Sequence, residues 1–173
     1  PPPNLLANQI IAPNSPRICC GYGFVRDSFV VHDQYWRRAE CSYSIPPRSR
    51  KRVVVEVTTG VLQSDTIQSS FEKSLGASAS GGWGPISVAL NAAVSQNNTV
   101  SQSVSLQNQT RTTAEDKLVN DTDTAVQIVY WTLVDAFTVF DRKTKDITAA
   151  VEQAQSPPLV KVYPPDAKLG NAR

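Results

Sequence analysis

Apolar and polar residues alternate through a long uncharged stretch of the chain. Between Lys73 and Arg111, thirty-seven consecutive residues include no Asp, Glu, Lys or Arg. Over Ile86–Val94 the even positions are aliphatic or Ala and the odd positions are Ser, Ala or Asn, and a similar alternation continues over Val100–Thr110. A period of two places the aliphatic groups on one face of an extended strand. With turn residues at Gln96–Thr99, the pattern predicts a long amphipathic β-hairpin within residues 71–114.

The rest of the chain is dominated by β patterns. The stretch 125–140 is apolar at even and odd positions, which predicts a core strand covered on both faces. Residues 65–75 fit a short helix with Ile67, Phe71 and Leu75 at a spacing of four, and they also fit a strand. Further strands are predicted at Phe24–Val31, Tyr35–Ile45, Arg52–Leu62 and Leu159–Tyr163.

These elements predict an all-β fold. We expect an elongated antiparallel β-sandwich with a long amphipathic hairpin and at most one or two short helices. The chain of 173 residues is long enough for one domain with its own core. Residues 1–16 are rich in proline and predict an extended arm, and residues 17–173 predict a single β domain that includes the hairpin.

The uncharged face of the predicted hairpin has two explanations. Exposed strands usually carry Lys and Glu, which protect their edges from other chains. In the first explanation the hairpin crosses a bilayer, since nine residues from Ile86 to Val94 approach the 9–11 that a tilted membrane strand needs. In the second, both faces are covered by another sheet, a neighbouring subunit or attached sugar, so that hydroxyls and amides are paired. Acceptor patterns for N-glycosylation begin at Asn97, Asn108 and Asn120.

Charge adds a basic region to this picture. Charged residues make up only 18% of the chain, which is typical of secreted proteins, and we expect secretion. Between Arg17 and Arg52 there are eight basic and three acidic residues. Part of this excess is the run Arg48–Arg52, which fits a solvated loop, a processing site or a contact with lipid headgroups, glycans or nucleic acid. We expect no nucleic-acid partner, because no aromatic residues for base stacking are interleaved with the run.

The chain offers little to an enzyme. One histidine, His32, leaves no catalytic triad or metal cluster, and no phosphate-binding loop is present. Asp121 and Asp123 fit an acidic turn or a weak calcium site. Cys41 is able to bridge Cys19 or Cys20, or all three cysteines remain reduced, or they bind a metal. We therefore expect no enzymatic activity, no cofactor, no bound metal and no catalytic residues.

The Ser/Thr/Asn/Gln-rich hairpin with one aliphatic face resembles the insertion region of aerolysin-type β-pore-forming toxins over about Phe71–Ala114. The resemblance implies a secreted protein that oligomerises with copies of itself and inserts the hairpin to form a pore. Its partners would be a target-cell membrane or a surface glycan or receptor. The membrane-inserting residues would be Ile86, Val88, Leu90, Val94, Val100, Val104 and Leu106. Target binding would fall on the basic, aromatic N-terminal part, namely Tyr22, Tyr35, Trp36, Arg37, Arg38, Arg48, Arg50, Lys51 and Arg52.

A second hypothesis gives the same hairpin a structural role. The protein would then be a non-enzymatic recognition or structural β-sandwich that self-assembles or binds a glycan or a protein, and the aliphatic face would be covered in the assembly. The two hypotheses differ in whether that face meets lipid or protein.

Overall fold

A computed structural model describes residues 14–61, 65–77, 81–100, 103–155, 158–163 and 170–171. Within these ranges the chain is mostly β-strand, with two helices. In chain order the elements are β1 Ile18–Val25, β2 Ser28–Ile45, β3 Ser49–Thr59, α1 Asp65–Leu75, α2 Trp83–Val94, β4 Asn97–Asn98, β5 Thr110–Asn120, β6 Val126–Asp141, β7 Ile147–Ala154, β8 Leu159–Tyr163 and β9 Gly170–Asn171.

Two long antiparallel strands, β2 and β6, form the spine of the molecule. They pair from Ser28 with Asp141 to Ile45 with Val126. As predicted from its apolar residues at both parities, β6 is covered on both faces, and Trp131 and Phe137 are fully buried. Further strands complete this first sheet in the order β4-β1-β2-β6-β7. Strand β8 pairs with the same edge of β6 as β7 does, but with the earlier residues Gln127–Trp131.

The spine has two ends that differ in what covers them. At one end, called the turn end, lie the β1–β2 turn and the β6–β7 turn, which touch where Arg142 N donates to Asp27 O at 2.9 Å. At the opposite end β2 turns into β3, and a second sheet of order β3-β5-β9 packs on the spine. Its core contains Ile45, Val53, Leu118, Val126, Ile128 and Tyr130.

This architecture confirms the predicted all-β, antiparallel fold with two short helices. Residues 65–75, whose sequence fits either a helix or a strand, form helix α1. Strand β8 has the predicted bounds. The strand predicted at Ile86–Val94 is wrong, because these residues lie in helix α2. Ile86, Leu90 and Val94 also recur every four residues, so the sequence fits both periods, and packing on the sheet selects the helix.

The predicted N-terminal arm falls largely outside the described residues. Of residues 1–16, the structure describes 14–16, and Ser15 exchanges hydrogen bonds with Trp36 of β2. Neither helix in the described part of the chain is long and apolar enough to span a membrane.

Candidate functional site

Residues 60–109, between β3 and β5, are called here the cover segment, and its described residues cover one face of the spine at the turn end. It contains α1, α2 and an irregular strap, Ser103–Gln107. The two strands that flank it are paired with each other, Thr59 opposite Thr110. The cover segment is therefore an excursion from an otherwise continuous antiparallel pair.

Helix α2 sits unusually close to strand β1. A Cβ atom on Gly23 would lie 1.8 Å from the carbonyl oxygen of Ala93, and one on Gly21 would lie 2.9 Å from that of Val94. Only glycine permits such an approach, because any side chain would overlap backbone atoms of the helix. The buried face of α2 joins Phe71, Leu75 and other residues of α1 in one core with the spine.

Side chains rather than a strand ladder hold the strap. Asn91 Nδ2 donates to Val104 O at 2.7 Å, and Val104 N donates to Asn91 Oδ1 at 2.9 Å. Leu106 N donates to Ser87 Oγ at 2.9 Å. Gln153 on β7 bonds Gln107 N and Ser105 O in the same way, at 2.8 and 2.9 Å. These uncharged polar groups satisfy the strap's backbone without pairing it to a strand.

Replacing Asn91 with Leu is expected to lower the free energy of unfolding by about 1–3 kcal/mol, because the backbone groups of Val104 lose their partners. Urea unfolding followed by circular dichroism measures the change. Asn98→Ala, at an exposed position of β4, serves as the control and should leave the midpoint unchanged. Equal midpoints for the two variants would contradict a clamping role for Asn91.

A buried carboxylate lies next to the strap. Asp135 of β6 is fully buried and accepts hydrogen bonds from His32 Nε2 at 2.7 Å and Gln34 Nε2 at 2.8 Å, and from Gln155 Nε2. Burial acts to raise the pKa of Asp135, but the bonds from His32, Gln155 and Gln34 outweigh it, so the pKa lies below its usual value. The carboxylate is thus fixed as an anion inside the fold.

The residues proposed to insert into a membrane are mostly core residues in this structure. Ile86, Leu90, Val94, Val104 and Leu106 are buried against the spine, Val100 is half-buried, and Val88 is 71% exposed. In this state they face protein and solvent. Six of them lie on α2 or the strap and Val100 lies outside both, so lipid contact by two adjacent strands would require the cover segment to rearrange.

The residues proposed to bind a target are scattered, and several are engaged in ion pairs. Tyr35 is buried, and its hydroxyl contacts Glu152 and Arg37, which also pair with each other at 2.9 Å. Arg48 pairs with Asp123 and Arg52 with Glu115 on the opposite half of the molecule. Trp36 and Arg38 are half-buried, Arg50 is exposed, and Lys51 lies over the Tyr43 ring at 5.5 Å.

Tyr22 belongs to a cluster on the outer face of the spine, which we call the aromatic patch: Tyr22, Phe24, Phe29 and Phe140. The patch is on the face opposite to α2, since Gly21 and Gly23 alternate with Tyr22 and Phe24 along β1. Tyr22 and Phe24 are 42% and 48% exposed, and both rings lie within 6 Å of Phe29. The last three members line an open groove of about 580 Å³ with Asp141, Arg142 and Lys145.

Sequence reasoning found Tyr22 but not Phe29, Phe140 and Arg142 as parts of the same surface. Phe29 is one residue into β2 and Phe140 is more than a hundred residues later. Only the pairing of Phe24 with Phe29 and of Phe29 with Phe140 joins them. The guanidinium of Arg142 stands 4.5 Å from the Phe24 ring centre.

The remaining candidates have local roles. Cys19 and Cys20 are free thiols, so neither forms the predicted disulfide, and burial followed by the nearby Asp135 charge raises the pKa of Cys20 to about 11. Asn120 is fully buried and its amide donates to the carbonyl oxygens of Ile45, Pro46 and Thr124, so the folded protein offers no glycan site there.

The fold is similar to that of known structures. Cry35Ab1 matches with a TM-score of 0.61 and 14% sequence identity over 92% of this chain and 49% of that one, so the chain spans about half the length of Cry35Ab1. The oligomeric pore-forming toxin pro-Monalysin matches with a TM-score of 0.41 and 10% identity over 96% of this chain and 79% of that one. The predicted resemblance to the aerolysin-type fold is confirmed as a likeness of fold. No protein-family model and no curated protein matches the sequence.

Proposed function

We propose that this chain is a secreted, non-enzymatic pore-forming protein whose cover segment rearranges into an amphipathic β-hairpin. Copies of the chain oligomerise on a target membrane, and their hairpins together form a β-barrel. The observation that carries the proposal is the register of β3 and β5 taken together with the residue pattern of the cover segment.

The register of β3 and β5 can be continued through the cover segment to a tip made of turn-forming residues. In every pair, from Ser49 with Asn120 to Thr59 with Thr110, the two residue numbers add up to 169. In the same register Leu75 would pair with Val94 and Trp83 with Ile86. The tip would then fall at Gly84–Pro85, within Gly81–Pro85, where turn-forming residues are concentrated. The tip thus moves from the Gln96–Thr99 turn predicted from sequence alone.

This register places apolar residues of both arms on one face. Because 169 is odd, each odd position of the first arm lies opposite an even position of the second, on the same side of the sheet. One face then carries Val61, Ile67, Phe71, Leu75, Ala77 and Trp83 from the first arm and Ile86, Val88, Leu90, Ala92, Val94, Val100, Val104 and Leu106 from the second. The charged and amide residues on that face, Gln63, Asp65, Lys73, Gln96, Asn98, Gln102 and Asn108, all lie outside the ten residues of each arm nearest the tip. The other face carries mainly Ser, Thr, Gln, Asn and small residues. The apolar residues occupy odd positions before Gly81–Pro85 and even positions after it. A hairpin with its tip at Gly84–Pro85 requires this change.

The part of this hairpin nearest the tip has the length of a membrane crossing. Ser74–Trp83 and Ile86–Ser95 contribute ten residues each, within the 9–11 that a tilted strand needs, and contain no charge. Glu72 and Lys73 lie just outside the first arm, and Gln96–Thr99 lie just outside the second. Ile86, Val88, Leu90 and Val94 face lipid in this arrangement. Val100, Val104 and Leu106 continue the same face outside the bilayer.

The rearrangement has an identifiable starting point. Gly60, with φ of 82°, is where the chain leaves the register of β3. Apolar side chains that leave the core would move from a protein interior to lipid rather than to water, which limits the cost of the change. The side-chain clamps on the strap resist it, and they would have to open for the hairpin to form.

The alternative of a structural or recognition module has one observation in its favour. Ser87, Asn91 and Gln153 use their uncharged polar groups to hold the strap. Such internal pairing accounts for part of the uncharged composition without a membrane. In that case the cover segment stays in place throughout the protein's function.

Liposomes of mixed natural lipids loaded with a self-quenching dye separate the two functions. If the protein forms pores, we expect dye release together with its conversion to a large, detergent-resistant oligomer. Light scattering measures the size of that oligomer. An absence of release across lipid compositions, with a stable monomer or an oligomer that forms without lipid, would contradict the proposal and favour the structural module.

A further inference from the structure

The proposed hairpin would grow toward the turn end of the molecule. Strand β3 starts beside the β2–β3 turn, where Ser49 Oγ donates to Pro46 O at 2.7 Å, and runs back along the spine. It reaches the level of Ala154, whose carbonyl oxygen accepts a bond from Gly60 N at 3.3 Å. Ala154 pairs with Val134 of β6, and six residues further along β6, Phe140 reaches the turn end. The turn end therefore lies nearest the membrane when the hairpin inserts.

We infer that the aromatic patch at the turn end is a docking surface for an anionic lipid membrane. The inference rests on the proposed function, which supplies the orientation. Phe24 and Tyr22 expose close to half of their surfaces at the end toward which the hairpin would extend. Exposed aromatic clusters of this kind mark interaction sites, and aromatic side chains with cations beside them are characteristic of the membrane interface.

Two cations in the groove of the patch are not held in ion pairs. Arg142 and Lys145 line the groove together with Asp141, and neither forms an ion pair with a carboxylate in the described part of the chain. By contrast, Arg17, Arg37, Arg48, Arg52 and Arg111 each pair with Asp or Glu. The carboxylate of Asp141 accepts the backbone N–H groups of Lys143 and Thr144 at 2.8 and 2.9 Å. Arg142 and Lys145 are thus the cations that can meet lipid phosphates beside the patch.

The geometry of Arg142 joins the two parts of the surface. Its guanidinium lies 4.5 Å from the Phe24 ring centre, and Arg142 Nη1 also contacts Arg26 O at 3.4 Å. The aromatic ring and the charge are thereby presented side by side. A phosphate meeting Arg142 would bring Phe24 to the depth of the headgroups, where aromatic rings are favoured.

Co-sedimentation with vesicles tests this docking surface. Wild-type protein is expected to bind vesicles of phosphatidylcholine with 30% phosphatidylserine at least tenfold more tightly than vesicles of phosphatidylcholine alone (the composition is chosen at roughly the anionic content that attracts basic surfaces). The double variant Phe24→Ser/Arg142→Gln should lose at least tenfold in affinity for the anionic vesicles. Circular dichroism and thermal unfolding check that the sheet is intact, and Tyr22→Ser/Lys145→Gln replaces the pair if it is not.

Val54→Ser/Lys117→Gln is the matched control. Val54 on β3 is 48% exposed, as Phe24 is, and Lys117 on β5 is an exposed cation, and both lie on the second sheet away from the patch. The inference is overturned if wild-type protein does not bind anionic vesicles, if the patch variant binds as wild type does, or if the control loses as much affinity. Vesicle binding that depends on the patch, without dye release, would instead retain the docking surface and reject pore formation.

Discussion

A disulfide between Ser74→Cys and Thr148→Cys is expected to abolish dye release by the oxidised protein, and reduction should restore it. The Oγ atoms of Ser74 in α1 and Thr148 in β7 are 3.0 Å apart, so two sulfur atoms at these positions need only a small adjustment to reach the bonding distance of about 2.05 Å. The bridge would tie α1 to the spine. Because α1 must leave the spine for Ser74 to enter the first arm of the hairpin, the oxidised protein should retain less than a tenth of the wild-type release rate.

Thr58→Cys/Arg111→Cys provides the control for this experiment. These residues are directly paired in β3 and β5. Their pairing is the same before and after the proposed rearrangement, so a bridge here should leave release unchanged. The reduced form of each variant controls for the native cysteines. Full activity of the oxidised Ser74–Thr148 variant would show that the hairpin does not form from α1.

The elements that could be predicted are those whose pattern allows one conformation. Strand β6 has apolar residues at both parities over sixteen positions, which only a strand covered on both faces accommodates in this fold. Strand β8 is bounded by prolines in the sequence, and its predicted limits are confirmed. In both cases the local sequence and the tertiary environment favour the same structure.

Helix α2 could not be assigned from sequence, because its residues satisfy two periods. The even positions from Ile86 to Val94 give an aliphatic strand face, and Ile86, Leu90, Ala93 and Val94 give a helical one. The choice depends on β1, where Gly21 and Gly23 let the helix approach the sheet. That contact joins positions about seventy residues apart, which no local pattern reveals. The proposed rearrangement depends on the same ambiguity, because these residues form a helix in this structure and would form a strand in the hairpin.

The buried Asp135 and the aromatic patch could not be predicted from the sequence, for a related reason. The buried Asp135 and its partner His32 are separated by 103 residues, and the aromatic patch is assembled from three strands. The sequence shows a basic, aromatic N-terminal part but not which cations are already paired. Arg37, Arg48 and Arg52 meet carboxylates, whereas Arg142, in the β6–β7 turn, lies beside Phe24.

Val88→Arg is expected to reduce dye release at least tenfold without destabilising the folded protein. Val88 is 71% exposed on the outer face of α2, and an exposed substitution of this kind usually changes stability by no more than about 0.5 kcal/mol. In the proposed hairpin the same side chain faces lipid. A positive charge on the lipid face of a membrane barrel costs about 2–4 kcal/mol at the bilayer midplane and less toward either surface. Every subunit of the barrel carries that cost, which raises the barrier to insertion.

Ser95→Arg distinguishes the face of the hairpin from the presence of charge alone. Ser95 is also exposed in the folded protein, at the end of α2, but its odd number places it on the water-lined face of the proposed barrel. Release should therefore stay within about threefold of wild type, since an arginine there remains hydrated. Equal inhibition by both variants would mean that added charge at α2 blocks an earlier step, and equal tolerance would mean that Val88 never meets lipid. Strong inhibition by Val88→Arg with tolerance of Ser95→Arg is the outcome expected for an extension of β3 and β5 in their present register, in which Val88 faces lipid and Ser95 does not.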